Sequence, residues 1–255
     1  MRGEEGAAPT TVPALTDLHL HVLPGVDDGP ATLDEAVAVC RLALADGCET
    51  LIATPHQRHA FWSNREAAML RSLCEQVQQA VGERPRVLPG AEIAVDSELL
   101  AEVDDFAASG LLALADSRYL LLEFPGGPGG PEPRGLVHEL VVAGWRPILA
   151  HAERIPRWVE RPEELAGLVE IGAAIQITAG SVLGSHGRGA RTCCSWLLDR
   201  GLVHFAGSDA HDTVRRPPGL SAAWRAILDG WGEEAAQAIF VDHPAAILAD
   251  RPLAV

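Results

Sequence analysis

The sequence predicts an α/β fold in which seven parallel strands, joined by helices, close toward a barrel rather than lie as an open sheet. Three observations predict it. Short apolar runs alternate with longer amphipathic stretches along the 255 residues, the pattern of repeated βα units. The length and the 47% hydrophobic content suffice for a substantial core in one large domain. Residues able to bind a metal recur at or just past the C-terminal ends of six of the strands, and in a parallel barrel those ends share one rim.

Taken in order, residues 1–13 read as a loose tail and 14–255 as a single domain. Leu15 to His21 is the first strand, and alternation puts His19 and His21 on one face with Leu18 and Leu20 on the other. Pro24, Gly25, Gly29 and Pro30 then force a turn that can bring Asp27 or Asp28 back toward the histidines. Thr32-Leu-Asp-Glu35 is a capping box opening a helix that Gly47 stops. Thr50 to Thr54 is the second strand, followed by Pro55-His56, and Ser63-Asn-Arg-Glu66 reads as a second capping box for a helix to about Val81. A third strand begins at Arg86 to Leu88 and leads to Pro89-Gly-Ala-Glu92, while 96–115 is helical or irregular. Tyr119 to Glu123, Pro147 to Ala150, Ala173 to Thr178 and Val203 to Ala206 are strands four to seven. Helices are expected over Arg134 to Ala143, Pro162 to Ile171, Gly189 to Arg200, Ser221 to Leu228, Glu233 to Phe240 and Pro244 to Ala249.

Composition narrows the function classes. A net charge of −15 argues against broad nucleic-acid binding but permits a local basic pocket. There is no run of 18 apolar residues, and the first residues carry no hydrophobic leader segment, so a soluble cytoplasmic protein without membrane insertion is expected. Five cysteines with no C-x-x-C spacing suit reduced thiols. All 20 basic residues are arginine. The Gly126 to Pro131 run lacks the lysine and hydroxyl of a nucleotide-binding loop and reads as plain loop.

Nine ligand-type residues fall on the common rim: His19, His21, Asp28, His56, Glu92, Glu123, His151, Asp209 and His211. At three or four protein ligands per ion, with a bridging carboxylate, this set suffices for three metals. Closely spaced cations lower the pKa of a bridging water and neutralise charge on the attacked group, so the set points to hydrolysis at phosphorus or a carbonyl without a protein nucleophile. Mixed histidine and carboxylate ligation admits manganese, iron or zinc. Cys194 and Arg200 fit the C-x5-R spacing of cysteine-dependent phosphatases, but Trp196, Leu197 and Leu198 suit a buried helix face instead of a phosphate-cradling loop. His59 reads as a loop histidine, His138, His204 and His243 as structural or solvent-facing, and Asp27, Glu153 and Asp212 as supports for neighbouring ligands.

The run His19-x-His-x-Leu-Pro-Gly-Val-Asp-Asp-Gly-Pro30, with Thr54-Pro-His56, Gly90-Ala-Glu92, Leu122-Glu-Phe124, His151-x-Glu-Arg154, Gln176-Ile-Thr-Ala-Gly-Ser181 and Ser208-Asp-Ala-His211, resembles the PHP (polymerase and histidinol phosphatase) superfamily. Within it the sequence is similar to the bacterial capsule-type protein-tyrosine phosphatases, from about Thr16 to Pro218. The resemblance implies a distorted, TIM-like (β/α)7 barrel with a three-metal site, manganese foremost. One ion would be held by His19, His21, Glu92 and Asp209; a second by Glu92, Glu123 and His151; a third by Asp28, His56 and His211. It further implies that Arg154 and Arg216 bind the phosphate, with Arg215 an alternative to Arg216. The implied substrate is phosphotyrosine in the tail of a membrane-associated tyrosine kinase that controls capsule or exopolysaccharide synthesis.

This chain departs from the family pattern at Ala152, Ile155 and Gln57, positions that bear on substrate preference more than on metal binding. Alternatives within reach of the same residues are a small-molecule phosphatase such as one for histidinol phosphate, a Glu-bridged amidohydrolase, and a non-catalytic metal-binding scaffold. The Leu23-Pro-Gly-Val-Asp-Asp-Gly29 turn favours the tyrosine branch, and an amidohydrolase would leave Asp28, His56 and His211 unexplained.

Overall fold

The computed structural model describes residues 11–127 and 130–253, so most of the expected tail and two residues of the glycine-rich loop lie outside the described residues. Nine strands are assigned among the described residues. They are β1 (Leu15–Leu20), β2 (Cys48–Ala53), β3 (His56–Gln57), β4 (Arg86–Pro89), β5 (Glu92–Ala94), β6 (Tyr119–Glu123), β7 (Arg146–Leu149), β8 (Ala174–Thr178) and β9 (Phe205–Gly207). All pairings are parallel, in the orders β1-β2-β4 and β3-β5-β6-β7-β8-β9.

Nine strands reduce to the seven expected. β2 and β3 are one run interrupted at Thr54-Pro55, and β4 and β5 are one run interrupted at Gly90-Ala91 after Pro89. A proline cannot donate to a ladder, so each run breaks there. The two sheets meet at these breaks, where the Glu92 N–H donates to Pro55 O at 3.1 Å. Across the first and last strands, His21 N–H donates to Ala210 O and Asp209 N–H to His19 O, both at 2.8 Å, and Leu20 bridges Ala210. The sheet thus curls until β9 meets β1. Between β4 and β6 no ladder forms; a short 3-10 turn, Leu114–Asp116, stands there instead, which is the distortion of the barrel.

The breaks add a detail. His56 and Glu92 follow the ends of β2 and β4, as expected, and open the short strands β3 and β5, across which they are direct partners. β1 supplies a correction. Leu18 packs in the inner cluster with Ile52, Leu121, Ile148 and Phe205, whereas Leu20 joins the outer core against the helices. A register irregularity between Asp17 and Leu20 breaks the alternation that would have kept the two leucines on one face.

The outer layer is helical. Helix α1 (Leu33–Ala45) starts with the expected capping box: Glu35 N–H donates to Thr32 Oγ1 at 3.3 Å while the Glu35 carboxylate accepts from Thr32 N–H at 3.2 Å. Its Ala36, Val39, Cys40 and Ala43 are buried, the stripe that 3.6-residue periodicity predicts. The second expected capping box does not form. Helix α2 (Ala67–Val81) begins after Glu66 with no side-chain cap, because Asn64 takes a left-handed conformation (φ 40°) and the chain at Ser63 turns back to Arg58. The 96–115 stretch resolves into two short helices, Leu99–Asp104 and Phe106–Ser109, before the 3-10 turn.

At the N-terminal ends of the strands, Ile247 enters the inner cluster with Leu253 packed against it, Tyr119 Oη donates to Arg251 O at 2.8 Å, and Asp250 pairs with Arg118 and Arg146. The apolar filling and this latch close that end, leaving the C-terminal rim for polar groups. No helix among the described residues is long and apolar enough to cross a membrane.

Candidate metal centre

The nine side chains expected on the rim converge on one pocket. Ligand atoms lie within 4.8 Å of one another in four overlapping groups: His21, Asp28, His56 and His211; His19, His21 and Asp209; His19, Glu92 and His151; and His56, Glu92 and Glu123. Glu92 sits at the centre. Its Oε2 is 3.4 Å from His19 Nε2, 3.5 Å from His21 Nε2 and 3.1 Å from His56 Nδ1, while its Oε1 is 2.7 Å from His151 Nε2. His19, His56, Glu92 and Glu123 lie in β1, β3, β5 and β6, and His21, His151, Asp209 and His211 follow the ends of β1, β7 and β9, so the backbone ladder holds them. Asp28 and Glu123 stand partly exposed at the mouth, and the others are buried. The groups overlap more than three separate ligand sets would: His21 adjoins the Asp28 group, and His56 adjoins the Glu92 and Glu123 pair.

Local contacts aim each ring. Gln176 Oε1 accepts from the His19 ring at Nδ1 (3.1 Å) and from the His151 N–H (2.8 Å), and its own amide N–H donates to Ile177 O (2.7 Å). The His19 Nε2 is thereby turned to the pocket. Asp27 does the same for His21, with Oδ2 2.7 Å from Nδ1, and also accepts from the backbone N–H groups of Gly29 and His56. Asp17 accepts from the N–H groups of His19 and Ser208, tying β1 to β9. His151 (φ 32°) and Asp209 (φ 54°) both occupy the left-handed region, uncommon for residues with a Cβ. Gly207 is required by closeness: a Cβ there would lie 2.7 Å from the His19 Cβ.

The charges in the pocket are strongly coupled. Burial by itself would raise the Glu92 carboxyl, but the His19 and His151 imidazoles outweigh it and hold it well below the usual range. The same competition lowers Asp209, with Arg216 assisting, and lowers Asp28 through His211 and His56. Burial opposes protonation of His56, yet Asp28 and Glu92 raise it to about 9. Glu123 moves the other way, raised by burial and by the neighbouring Glu92 charge. Burial pushes Asp17 up to about 6. A pocket with four carboxylates therefore demands compensating positive charge.

Multivalent cations fit that demand. His19 Nε2, His21 Nε2, His56 Nδ1 and His211 Nε2 are buried without a hydrogen-bond partner among the described residues, although carboxylate oxygens lie 3.1–3.7 Å from them. Nitrogen and oxygen lone pairs thus point at shared space instead of at each other. Imidazole and carboxylate together form the donor set of transition-metal and zinc sites.

Two guanidinium groups border this pocket. Arg154 Nη1 and Arg216 Nη2 both reach Asp209 Oδ2, at 2.5 and 2.8 Å, and Arg216 Nη1 is 3.4 Å from Asp28 Oδ2. The other Asp209 oxygen, Oδ1, faces His19 and His21. One carboxylate therefore links the histidines to the arginines. Arg215 points away: it is 87% exposed in its side chain and, among the described residues, pairs only with Asp212. Asp212 Oδ1 accepts from the N–H groups of Val214, Arg215 and Arg216, which shapes the loop that presents Arg216.

The remaining candidates sort as expected. Cys193 and Cys194 are buried in the helix Gly187–Leu198, burial pushes the Cys193 thiol up to about 12 and raises Cys194 further, and Arg200 stacks on Trp196 at 4.0 Å. No thiolate phosphatase loop exists there. His138 is exposed on a helix, while His204 and His243 adjoin each other away from the pocket. Glu153 is fully buried and accepts from Thr178 and Ser181. Gln176 is the positioning residue that residue-type reasoning alone did not single out; an amide has no charge to mark it, and only its place inside the barrel identifies it. His59 stacks on His56 and Trp62.

The chain is 36% identical over 205 residues to the tyrosine-protein phosphatase YwqE of Bacillus subtilis, spanning 79% of each chain. It is 26% identical over 244 residues to the tyrosine-protein phosphatase CpsB of Streptococcus pneumoniae, spanning 93% of this chain and 99% of that one. A crystal structure from work on YwqE and CpsB, described as unique metal-dependent tyrosine phosphatases, superposes with a TM-score of 0.87 at 32% identity over 94% of this chain and 96% of the other. Residues 15–249 match the family described as capsular polysaccharide synthesis, CpsB/CapC, and to that family this chain belongs.

Proposed function

We propose that the chain is a metal-dependent phosphatase of phosphotyrosine in proteins, with His19, His21, Asp28, His56, Glu92, Glu123, His151, Asp209 and His211 holding the metal and Arg154 and Arg216 binding the phosphate. The observation that carries this reading is the junction at Asp209, where one oxygen faces the histidine pocket and the other anchors both guanidinium groups. Three divalent ions, manganese foremost, would be held by His19, His21, Glu92 and Asp209, by Glu92, Glu123 and His151, and by Asp28, His56 and His211; when bound they supply charge neutralisation and an acidified water. The pocket residues favour in-line displacement: water adds to phosphorus, the bond from phosphorus to the phenolic oxygen breaks, and the phenolate recovers a proton to leave tyrosine and inorganic phosphate. Arg154 and Arg216 are always charged and match phosphate oxygens as planar forks, so they orient the ester and stabilise its equatorial oxygens. A phenolate leaves readily, which reduces the need for a strong general acid.

The capsule-synthesis family and the phosphatase names of the relatives support a substrate in polysaccharide assembly, and we assign it as the tyrosine-bearing tail of a membrane-associated kinase. Five buried free cysteines suit the reducing cytoplasm as the compartment. The test is turnover of a phosphotyrosine peptide and of histidinol phosphate by metal-reconstituted wild type and His151→Ala. Wild type is expected to hydrolyse the peptide, and the variant to lose at least about tenfold in kcat/KM. Equal activity of both proteins refutes the metal assignment; turnover of histidinol phosphate alone refutes the tyrosine assignment.

A further inference from the structure

The loop between Arg58 and Ser63 is fixed at its base and aromatic at its tip. Arg58 N–H donates to Ser63 O at 2.9 Å, and the buried Arg58 guanidinium pairs with Asp96 and Glu102. Asn64 Nδ2 donates to Val26 O and His56 O at 2.9 and 2.8 Å, and the Gln57 amide donates to Asn64 O and Gly110 O. These bonds leave the tip, His59 to Trp62, facing outward from a rigid stem.

The tip forms a run of rings that begins inside the pocket. Trp62 lies parallel to His56, with a 6° interplanar angle and centroids 5.3 Å apart, and His59 stacks on both at 4.8 Å. Phe61 stands edge-on to Trp62 at 5.9 Å and 5.5 Å from His59. At 82% exposure it is the most exposed large hydrophobic side chain among the described residues. A phenyl ring held out in water on an anchored stem is a contact surface in search of an apolar partner. Its continuity with His56 selects the partner: an ester whose phosphorus lies in the pocket carries its first substituent to the mouth, where the rings are.

We propose that His59, Phe61 and Trp62 form the platform for the aromatic ring of the substrate and so select aryl over alkyl phosphate esters. The proposal rests on the reading of the pocket as a phosphotyrosine phosphatase and extends it to the residues that recognise the tyrosine ring. Aromatic pairs favour offset-stacked and edge-to-face contacts, and this loop offers a stacked face at Trp62 and an edge at Phe61. A serine or threonine phosphate has no ring to meet either.

The test is calorimetric binding of phenylphosphonate, methylphosphonate and inorganic phosphate to metal-loaded wild type, Phe61→Ala and Phe61→Trp, with kcat/KM on a phosphotyrosine peptide measured in parallel. Phe61→Ala is expected to weaken phenylphosphonate roughly tenfold while the two ring-free ligands change less than about twofold, and Phe61→Trp to restore the difference. Equal weakening of all three ligands, or no weakening of phenylphosphonate, overturns the proposal. An unchanged phenyl preference with a smaller sedimentation coefficient in Phe61→Ala assigns the ring to contact between copies of the chain and also overturns it. Failure of the phosphatase reading has a different signature: wild type would bind none of the three ligands and leave the peptide intact.

Discussion

Gln176 accepts two hydrogen bonds through one oxygen, from the His19 ring and the His151 backbone, and so couples residues 132 positions apart to a common orientation. Removing the amide frees the His19 ring to rotate and leaves a buried N–H unpaired. Gln176→Ala is expected to lower metal affinity roughly 10- to 100-fold, measured as metal retained after dialysis against graded chelator. Retention equal to wild type would show that β1 and the 150–151 turn hold their histidines without help. The arginines illustrate the same scale. Arg215 and Arg216 are neighbours of identical chemistry, and the sequence left either open; the backbone N–H groups gathered by Asp212 turn Arg216 to Asp209 and leave Arg215 in solvent. The family resemblance named the candidates, and loop geometry sets which of the two faces the pocket.

Among elements, the two capping motifs had the same pattern in sequence and different outcomes. Thr32 caps α1 with its hydroxyl, whereas the chain at Ser63 closes the 58–63 loop on Arg58 and α2 starts only at Ala67. Thr32→Ala should cost about 1 kcal/mol, read as a lower chemical-denaturation midpoint with unchanged kcat, because the cap lies on the surface outside the pocket. A loss of activity at full folding would instead couple α1 to the Asp27 and Asp28 turn before it. Strand boundaries tell a similar story. The prolines at 55 and 89 were visible as breakers, but their placement of His56 and Glu92 as direct partners across β3 and β5 depends on the register between two distant segments.

At the scale of the molecule, His204 provides a test of the barrel exterior independent of the metal pocket. The Ile175 N–H donates to His204 Nδ1 at 3.1 Å, which requires a lone pair there, and burial, with the nearby His243, lowers the imidazole from 6.5 to about 4. The unfolded chain therefore takes up a proton before the folded one does. Stability from this group is fully present above about pH 6.5 and is lost as pH falls toward 4, by at most about 3 kcal/mol. Unfolding midpoints across that window should fall more steeply in wild type than in His204→Gln; parallel curves would mean the ring is protonated without cost. While the candidate arginines came from the family resemblance, the sequence by itself determined the alternation of strands and helices, the nine ligand-type residues, and the exclusion of a cysteine nucleophile. Each of these rests on residue identity and local periodicity, which are properties of the linear chain. Tertiary structure alone decided that Glu92 is the centre of the pocket, that Gln176 aims the His19 ring, that Leu18 and Leu20 part company, and that Phe61 is left in water beside His56. Those outcomes depend on strand register and on how far β9 curls back to β1, and both are set by packing between segments far apart in the chain.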